Sequence, residues 1–202
     1  MMPPFRVLAL SFAAALLCSC VGISADISVG EDGSGSISLE YRVSRLVESM
    51  GKLEGNERWL PLPYGRDTFE RFVSGQRGLR LEDFSEKVDE TDRTVRASIS
   101  STDLESLVRF VVSTGKSASF SENNGKRTLS LRVWEGGGPL DPDLKRLVDT
   151  VFRGYSVVLR FRLPAAAAVQ GGSLEDERTA LFSAPVTEII SADKPIVWTV
   201  AW

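Results

Sequence analysis

Hydrophobic and polar positions alternate with period two over most of this chain, and shorter stretches of helical period interrupt them. In "ADISVGEDGSGSISLEYRVS", Ile27 and Val29 alternate, Glu31–Gly35 make a turn, and Ile37, Leu39, Tyr41 and Val43 share one face, which predicts a hairpin. Residues 44–50, "SRLVESM", predict a short helix ending at Gly51, followed by the Pro/Gly/aromatic loop "GNERWLPLPYGRD". Asp67 with Glu70 three residues on has the pattern of a capping box, with Phe69, Phe72 and Val73 facing inward. "LRLEDFSEKVDE" and "RTVRASIS" predict two strands joined by an Asp-rich turn, with polar faces suited to a sheet exposed on one side.

Two longer helices follow from the i, i+3, i+4 spacing. In the first, Thr102 and Glu105 repeat the capping box ahead of Leu104, Leu107, Val108 and Val111. In the second, Asp141 caps, Pro142 opens, and Gly154 stops a helix bearing Leu144, Leu147, Val148, Val151 and Phe152. Between them, "ASFSENNGKRTLSLRVW" is a hairpin turning at Asn124-Gly125. "YSVVLRFRL", "RTALFSA" and "PIVWTVAW" read as further strands, with a short helix over 185–192 and a loop over 164–177. Trp198, Val200 and Trp202 fall on one face of the last strand and are expected in the core. These elements predict an α+β fold: an antiparallel β-sheet packed against two longer and several short helices, forming a single domain over 20–202. The alternative is a division near Gly115, with a helix and hairpin in each half.

The N-terminus breaks this pattern. Arg6 is the only charge before Asp26, and Val7–Leu17 is an apolar run of signal-peptide length, too short to span a bilayer as a helix. It ends in "AALLCSCVG", where Leu17-Cys18-Ser19-Cys20 resembles a bacterial lipoprotein signal-peptidase motif. On this reading residues 1–19 are the signal peptide, and Cys20 becomes the first mature residue and the attachment point of acyl groups, palmitate among them. The competing reading is ordinary secretory cleavage after Ala25, giving a secreted or periplasmic chain. The two cysteines have no partners elsewhere, so the body is expected to rest on its core without a disulfide.

Composition then narrows the chemistry. The chain of 202 residues has no histidine, which removes imidazole acid–base catalysis, the Ser-His-Asp triad and the usual zinc sites. Its 24 basic and 27 acidic side chains are interspersed, giving a net charge of −3, and removing residues 1–19 takes away only Arg6. With no basic stripe, nucleic acid is not an expected partner. Carboxylate pairs (Asp83 with Glu86, Asp89 with Glu90 and Asp92, Asp141 with Asp143) are the remaining route to a hydrolase, although their places near turns and a helix start account for each one. Ser113 and Lys116 have SxxK spacing without its partner motifs. No catalytic residue, metal ligand or cofactor is expected. The candidate ligand-binding group is the proline-rich loop carrying Arg58, Trp59, Leu60, Leu62, Tyr64 and Arg66: aromatics for apolar contact and guanidiniums for an anionic head.

"DGSGSISLEYRV", "RTVRASISSTDLESL" and "APVTEIISADKPIVWTVAW" resemble the LppM-type domain of bacterial envelope lipoproteins, mainly across residues 26–163. The ending is also similar to small spirochaete lipoproteins. The resemblance implies an exported, lipid-anchored α+β domain at the cell envelope, with a lipid or glycolipid ligand, and it supplies no catalytic residue. The expectation is a membrane-anchored, non-enzymatic binding module on the extracytoplasmic face, held by N-terminal acyl chains. A structural or assembly protein with envelope protein partners only, and a carboxylate-dependent hydrolase, are the alternatives.

Overall fold

The computed structural model describes residues 21–46, 48–49, 65–114 and 118–202. Eleven strands and four helices follow one another in it: β1 (Val21–Val29), β2 (Gly35–Ser44), α1 (Arg66–Ser74), β3 (Leu79–Val88), β4 (Asp92–Ser101), α2 (Leu104–Thr114), β5 (Ala118–Asn123), β6 (Lys126–Trp134), α3 (Pro142–Val151), β7 (Ser156–Arg162), β8 (Ala168–Gln170), β9 (Ser173–Asp176), β10 (Thr179–Pro185), α4 (Val186–Ser191) and β11 (Ile196–Ala201). Arg45, Leu46, Glu48 and Ser49 are also helical. The fold is α+β, with helices packed on sheets as the periodicity predicts.

Two sheets form. The larger has seven strands in the order β3-β4-β2-β1-β7-β10-β9, and the smaller has four in the order β5-β6-β11-β8. Among the described residues every pairing is antiparallel except β1 with β7, where Ile23 faces Val157 and Ser28 faces Arg162. A parallel pair needs a long crossover, so local hairpin signals cannot reveal it.

β1 and β2 run in register from Val21 opposite Val43 to Val29 opposite Gly35. Ala25, Ile27, Val29, Ile37, Leu39, Tyr41 and Val43 are buried on one face. Gly22, Ser24, Asp26 and Ser28 take the intervening positions in β1. The alternation therefore extends upstream of the stretch at which the hairpin was expected to begin, through residues that secretory cleavage after Ala25 would discard.

The core lies between the inner face of the large sheet, helices α1 and α2, and the small sheet. Phe69 packs its ring 5.3 Å from Phe84, and Phe72 lies 5.9 Å from Phe110, which ties α1 to β3 and to α2. Phe182–Trp198 at 6.2 Å and Phe161–Trp202 at 5.9 Å join the two sheets. Trp198 and Val200 are fully buried, as expected, and Trp202 packs against the same cluster. The other face of the large sheet is polar: Glu40 pairs with Arg96 at 2.6 Å, and Arg160 holds Asp26 at 3.1 Å and Glu175 at 2.7 Å. Those two carboxylates raise the Arg160 pKa, with Glu175 the larger cause.

Several local expectations change. α1 begins at Arg66 after Gly65, and no side chain caps it, so Asp67 sits inside the first turn instead of closing a capping box. In α2 the cap is Asp103, which accepts from Ser106 N at 2.7 Å, while Thr102 Oγ1 turns to Asp103 Oδ2 and Glu105 pairs with Arg109. A carboxylate accepts the exposed amide at least as well as a hydroxyl, and it also meets the positive end of the helix. Asp141 caps α3 as expected, accepting from Asp143 N and Leu144 N. Leu147, placed on the apolar stripe of that helix, is 58% exposed, because α3 packs mainly through Val148 and the following Phe152. The stretch 164–177 is not a loop throughout; it contains β8 and β9, strands too short and too poor in branched residues to be read from pattern. Asn124 and Gly125 both have positive φ, as the two-residue hairpin requires.

Candidate functional site

Of the sequence-derived candidates, Cys20, Arg58, Trp59, Leu60, Leu62 and Tyr64 lie outside the described residues. Arg66 is described, at the start of α1. Its guanidinium donates to the Phe84 carbonyl at 2.8 Å, pairs with Glu70 at 3.2 Å, and lies 5.5 Å from the Phe84 ring centroid. It thus fastens α1 to β3.

A second cluster, unmarked by any sequence motif, sits at the end of the large sheet where β1 begins. After α3, Gly154 takes a positive φ and turns the chain toward β7, with Tyr155 immediately before that strand. Gly22 makes room for the phenol ring: a Cβ there would lie 3.2 Å from Tyr155 Cδ1. Val148, Phe152, Val186 and Ile190 enclose the ring from the helix side. Its hydroxyl donates to Asp92 Oδ1, and Arg42 Nη2 donates to Asp92 Oδ2 at 3.0 Å. The Arg42 guanidinium lies 4.9 Å from the Tyr155 ring centroid, within cation–π range.

The electrostatics close this triad on itself. Burial and then the hydrogen bond to Asp92 raise the Tyr155 pKa, so the phenol keeps its proton. Burial opposes the charge on Arg42, but the Asp92 hydrogen bond and charge outweigh it, and the Arg42 pKa rises. The Asp92 carboxylate therefore serves two donors and is not a free base. Beside it, Gly22, Ile23, Ser24, Glu40, Arg42, Gly154, Tyr155 and Ser156 line a recess of about 110 Å³. That volume accommodates several waters or one small polar group, and it is too small for an acyl chain.

The other carboxylates are similarly engaged. Glu86 pairs with Arg93, whose guanidinium also meets Glu48 at 3.0 Å. Asp89 accepts from Thr91 N at 2.9 Å and from Asp92 N at 2.8 Å, and these bonds lower its pKa. Asp143 pairs with Arg146 on the surface of α3. Among the described residues, no three His, Cys, Asp or Glu side chains are grouped to hold a metal ion. Asp92 is the residue that sequence reasoning undervalued: it was expected among the turn residues, yet it opens β4 and is buried. No local signal marked it: alternation places Asp92 on the polar face of β4 with Thr94 and Arg96, and its burial comes from Tyr155 and Arg42, which are distant along the chain.

No protein-family model matches the chain, and no curated protein matches it in sequence. Among solved structures, the chain is similar to the folded domain of the Mycobacterium tuberculosis LppM protein, with 12% sequence identity and a TM-score of 0.53. The match covers 90% of this chain and 88% of that one. The sequence resemblance and the coordinates thus converge on one architecture, and the chain has the LppM-type α+β fold.

Proposed function

We propose that this protein is a membrane-anchored extracytoplasmic lipoprotein, acylated at Cys20. Its α+β domain, residues 20–202, serves as a non-enzymatic binding module for a lipid-like or amphipathic component of the cell envelope. The observation that carries the proposal is the pairing of Val21–Ala25 inside the large sheet. Residues Val21–Ala25 pair with β2, and Ile23–Ala25 also pair with β7. Cleavage after Ala25 would remove five of the nine residues of a strand inside the sheet, whereas cleavage before Cys20 keeps the whole strand. A shared core cluster containing Ile27, Leu129, Phe161 and Trp198 supports a single domain.

The engaged carboxylates favour binding over hydrolysis. The outer strand β3 carries charges and a register shift between Leu81 and Asp83, features that oppose strand addition by a protein partner. The loop with Trp59, Leu60, Leu62 and Tyr64 supplies the apolar contact, with Arg58 beside it for an anionic or glycolipid head. The test has two parts. Intact-mass analysis after expression in a bacterial host should give a chain starting at Cys20 with added acyl mass; an N-terminus at Asp26 refutes the anchor. Tryptophan fluorescence should change on titration with phospholipid vesicles and respond less in Trp59→Ala. Flat curves for both refute the ligand class.

A further inference from the structure

Resting on the acylation of Cys20 just proposed, we infer that the bilayer is in direct contact with one end of the large sheet. This is the end bearing Leu46 and Val88, and the domain stands on that end instead of swinging on a tether. Val21, already paired with Val43 in the sheet, is the residue immediately after Cys20. One peptide unit spans about 3.8 Å, so an anchored Cys20 brings the start of β1 to the headgroup layer with no intervening linker.

The register identifies what accompanies it there. Val21 lies opposite Val43 at the end of β2, and Ser44 lies opposite Asp92 at the start of β4. Val88, the last residue of β3, lies opposite Arg93. Arg45 N donates to the Thr91 carbonyl at 2.8 Å, which ties the helical turn after β2 to the β3–β4 turn. On this end, Leu46 is 55% exposed and Val88 46% exposed, two of the large apolar side chains that face solvent among the described residues. The turn Glu31–Gly33 lies at the far end of β1 and β2, about 30 Å away at the ordinary strand rise.

Among the described residues, charge does not provide an alternative cause for the contact. Around this end Lys87 and Arg153 have no ion-pair partner among the described residues, and the Lys87 charge is opposed by Asp89, which it helps to hold ionised. Arg42, Arg45 and Arg93 are each paired with carboxylates. The contact therefore depends on the covalent tether and on apolar side chains at the interface, not on anionic lipid. Leu46 and Val88 are too small an apolar patch to fix the orientation by themselves, so the acyl tether at Cys20 is what sets it.

The test places single cysteines in the full precursor, as Leu46→Cys, Val88→Cys and Glu31→Cys, and expresses each in a bacterial host. Acylated Cys20 cannot react with a thiol label, so a fluorophore reports only the introduced site. Each protein is reconstituted into pure phosphatidylcholine vesicles containing a lipid-borne quencher. Quenching should be several-fold stronger at positions 46 and 88 than at 31, and it should be insensitive to salt. Equal quenching at all three positions, or the strongest at 31, overturns the inference.

Inserting ten Gly/Ser residues between Cys20 and Val21 adds a tether of roughly 17 Å, which should reduce quenching at 46 and 88 to the level seen at 31. Quenching that survives the insertion would overturn the role of tether length. Intact mass of each preparation separates the two failures. An unacylated product refutes the proposed anchor itself, whereas an acylated product with uniform quenching refutes only the orientation.

Discussion

Deleting Val21–Ala25, the product that secretory cleavage after Ala25 would leave, should prevent this protein from folding. The strand lies between β2 and β7 in the seven-stranded sheet, so the deletion opens a ladder on each side. Five residue pairs with β2 disappear, Val21–Val43 through Ala25–Leu39, together with three with β7, Ile23–Val157 through Ala25–Leu159. At about one ladder hydrogen bond per pair and ~1 kcal/mol net for each, the loss is roughly 5–8 kcal/mol. Losing Ala25 and Ile23 from the core face adds about 1–3 kcal/mol. The total is comparable with the 5–15 kcal/mol that stabilises an ordinary domain. The comparison is between chains beginning at Val21 and at Asp26, neither carrying an acyl group, by near-ultraviolet circular dichroism and thermal melting. The Val21 chain should show fixed aromatic signals and one cooperative transition. The Asp26 chain should show neither. A chain beginning at Asp26 that melts at the same temperature would refute the reasoning and return the secretory cleavage site to consideration.

Other perturbations test the details. Asp92→Ala leaves the Tyr155 hydroxyl and the Arg42 guanidinium without their carboxylate and should cost about 2–4 kcal/mol in urea unfolding, against ~1 kcal/mol for Tyr155→Phe. Gly171→Ala should destabilise by more than ~2 kcal/mol, because the residue has positive φ and its Cβ would lie 2.1 Å from the Val197 carbonyl oxygen. Gly138→Ala meets open space and should shift the same transition by less than ~0.5 kcal/mol. The Asp103 carboxyl is held below its ordinary value of 3.8 by the Ser106 amide, then by the Thr102 and Ser106 hydroxyls. A lowered folded-state pKa gives stability that is complete above that ordinary value and is lost as pH falls through the folded one. Asp103→Asn, which retains a capping oxygen but cannot titrate, should therefore melt below the parent at neutral pH, and the gap should narrow as pH falls below the ordinary carboxyl value.

The candidate site separates local from long-range information. Capping signals placed helix starts within a residue or two, but Thr102 and Asp103 compete for the same amides, and only the geometry of the turn decides that Asp103 accepts from Ser106. A turn motif accounted for Asp89, whereas Asp92 three residues on is drawn into the sheet by partners that are distant along the chain. Tyr155 lies 63 residues from it and Arg42 lies 50. Neither spacing has a local periodicity, so their convergence was not legible. The proline-rich aromatic loop was selected on composition alone, and Arg66, the one member described, spends its donors on packing α1.

By itself, the sequence determined the alternating faces of the hairpins, the Asn124-Gly125 turn, the capped start at Pro142, the burial of Trp198 and the absence of imidazole chemistry. Each depends on residues within a few positions of one another, where backbone geometry leaves few choices. The tertiary structure alone decided that β1 lies parallel to β7, that the strands divide into two sheets, that Leu147 faces solvent, and that Gly22 yields its space to Tyr155. It also decided that Val21–Ala25 pair inside the sheet. Alternation assigns a residue to a face, but only a partner strand across the sheet makes that face part of a core.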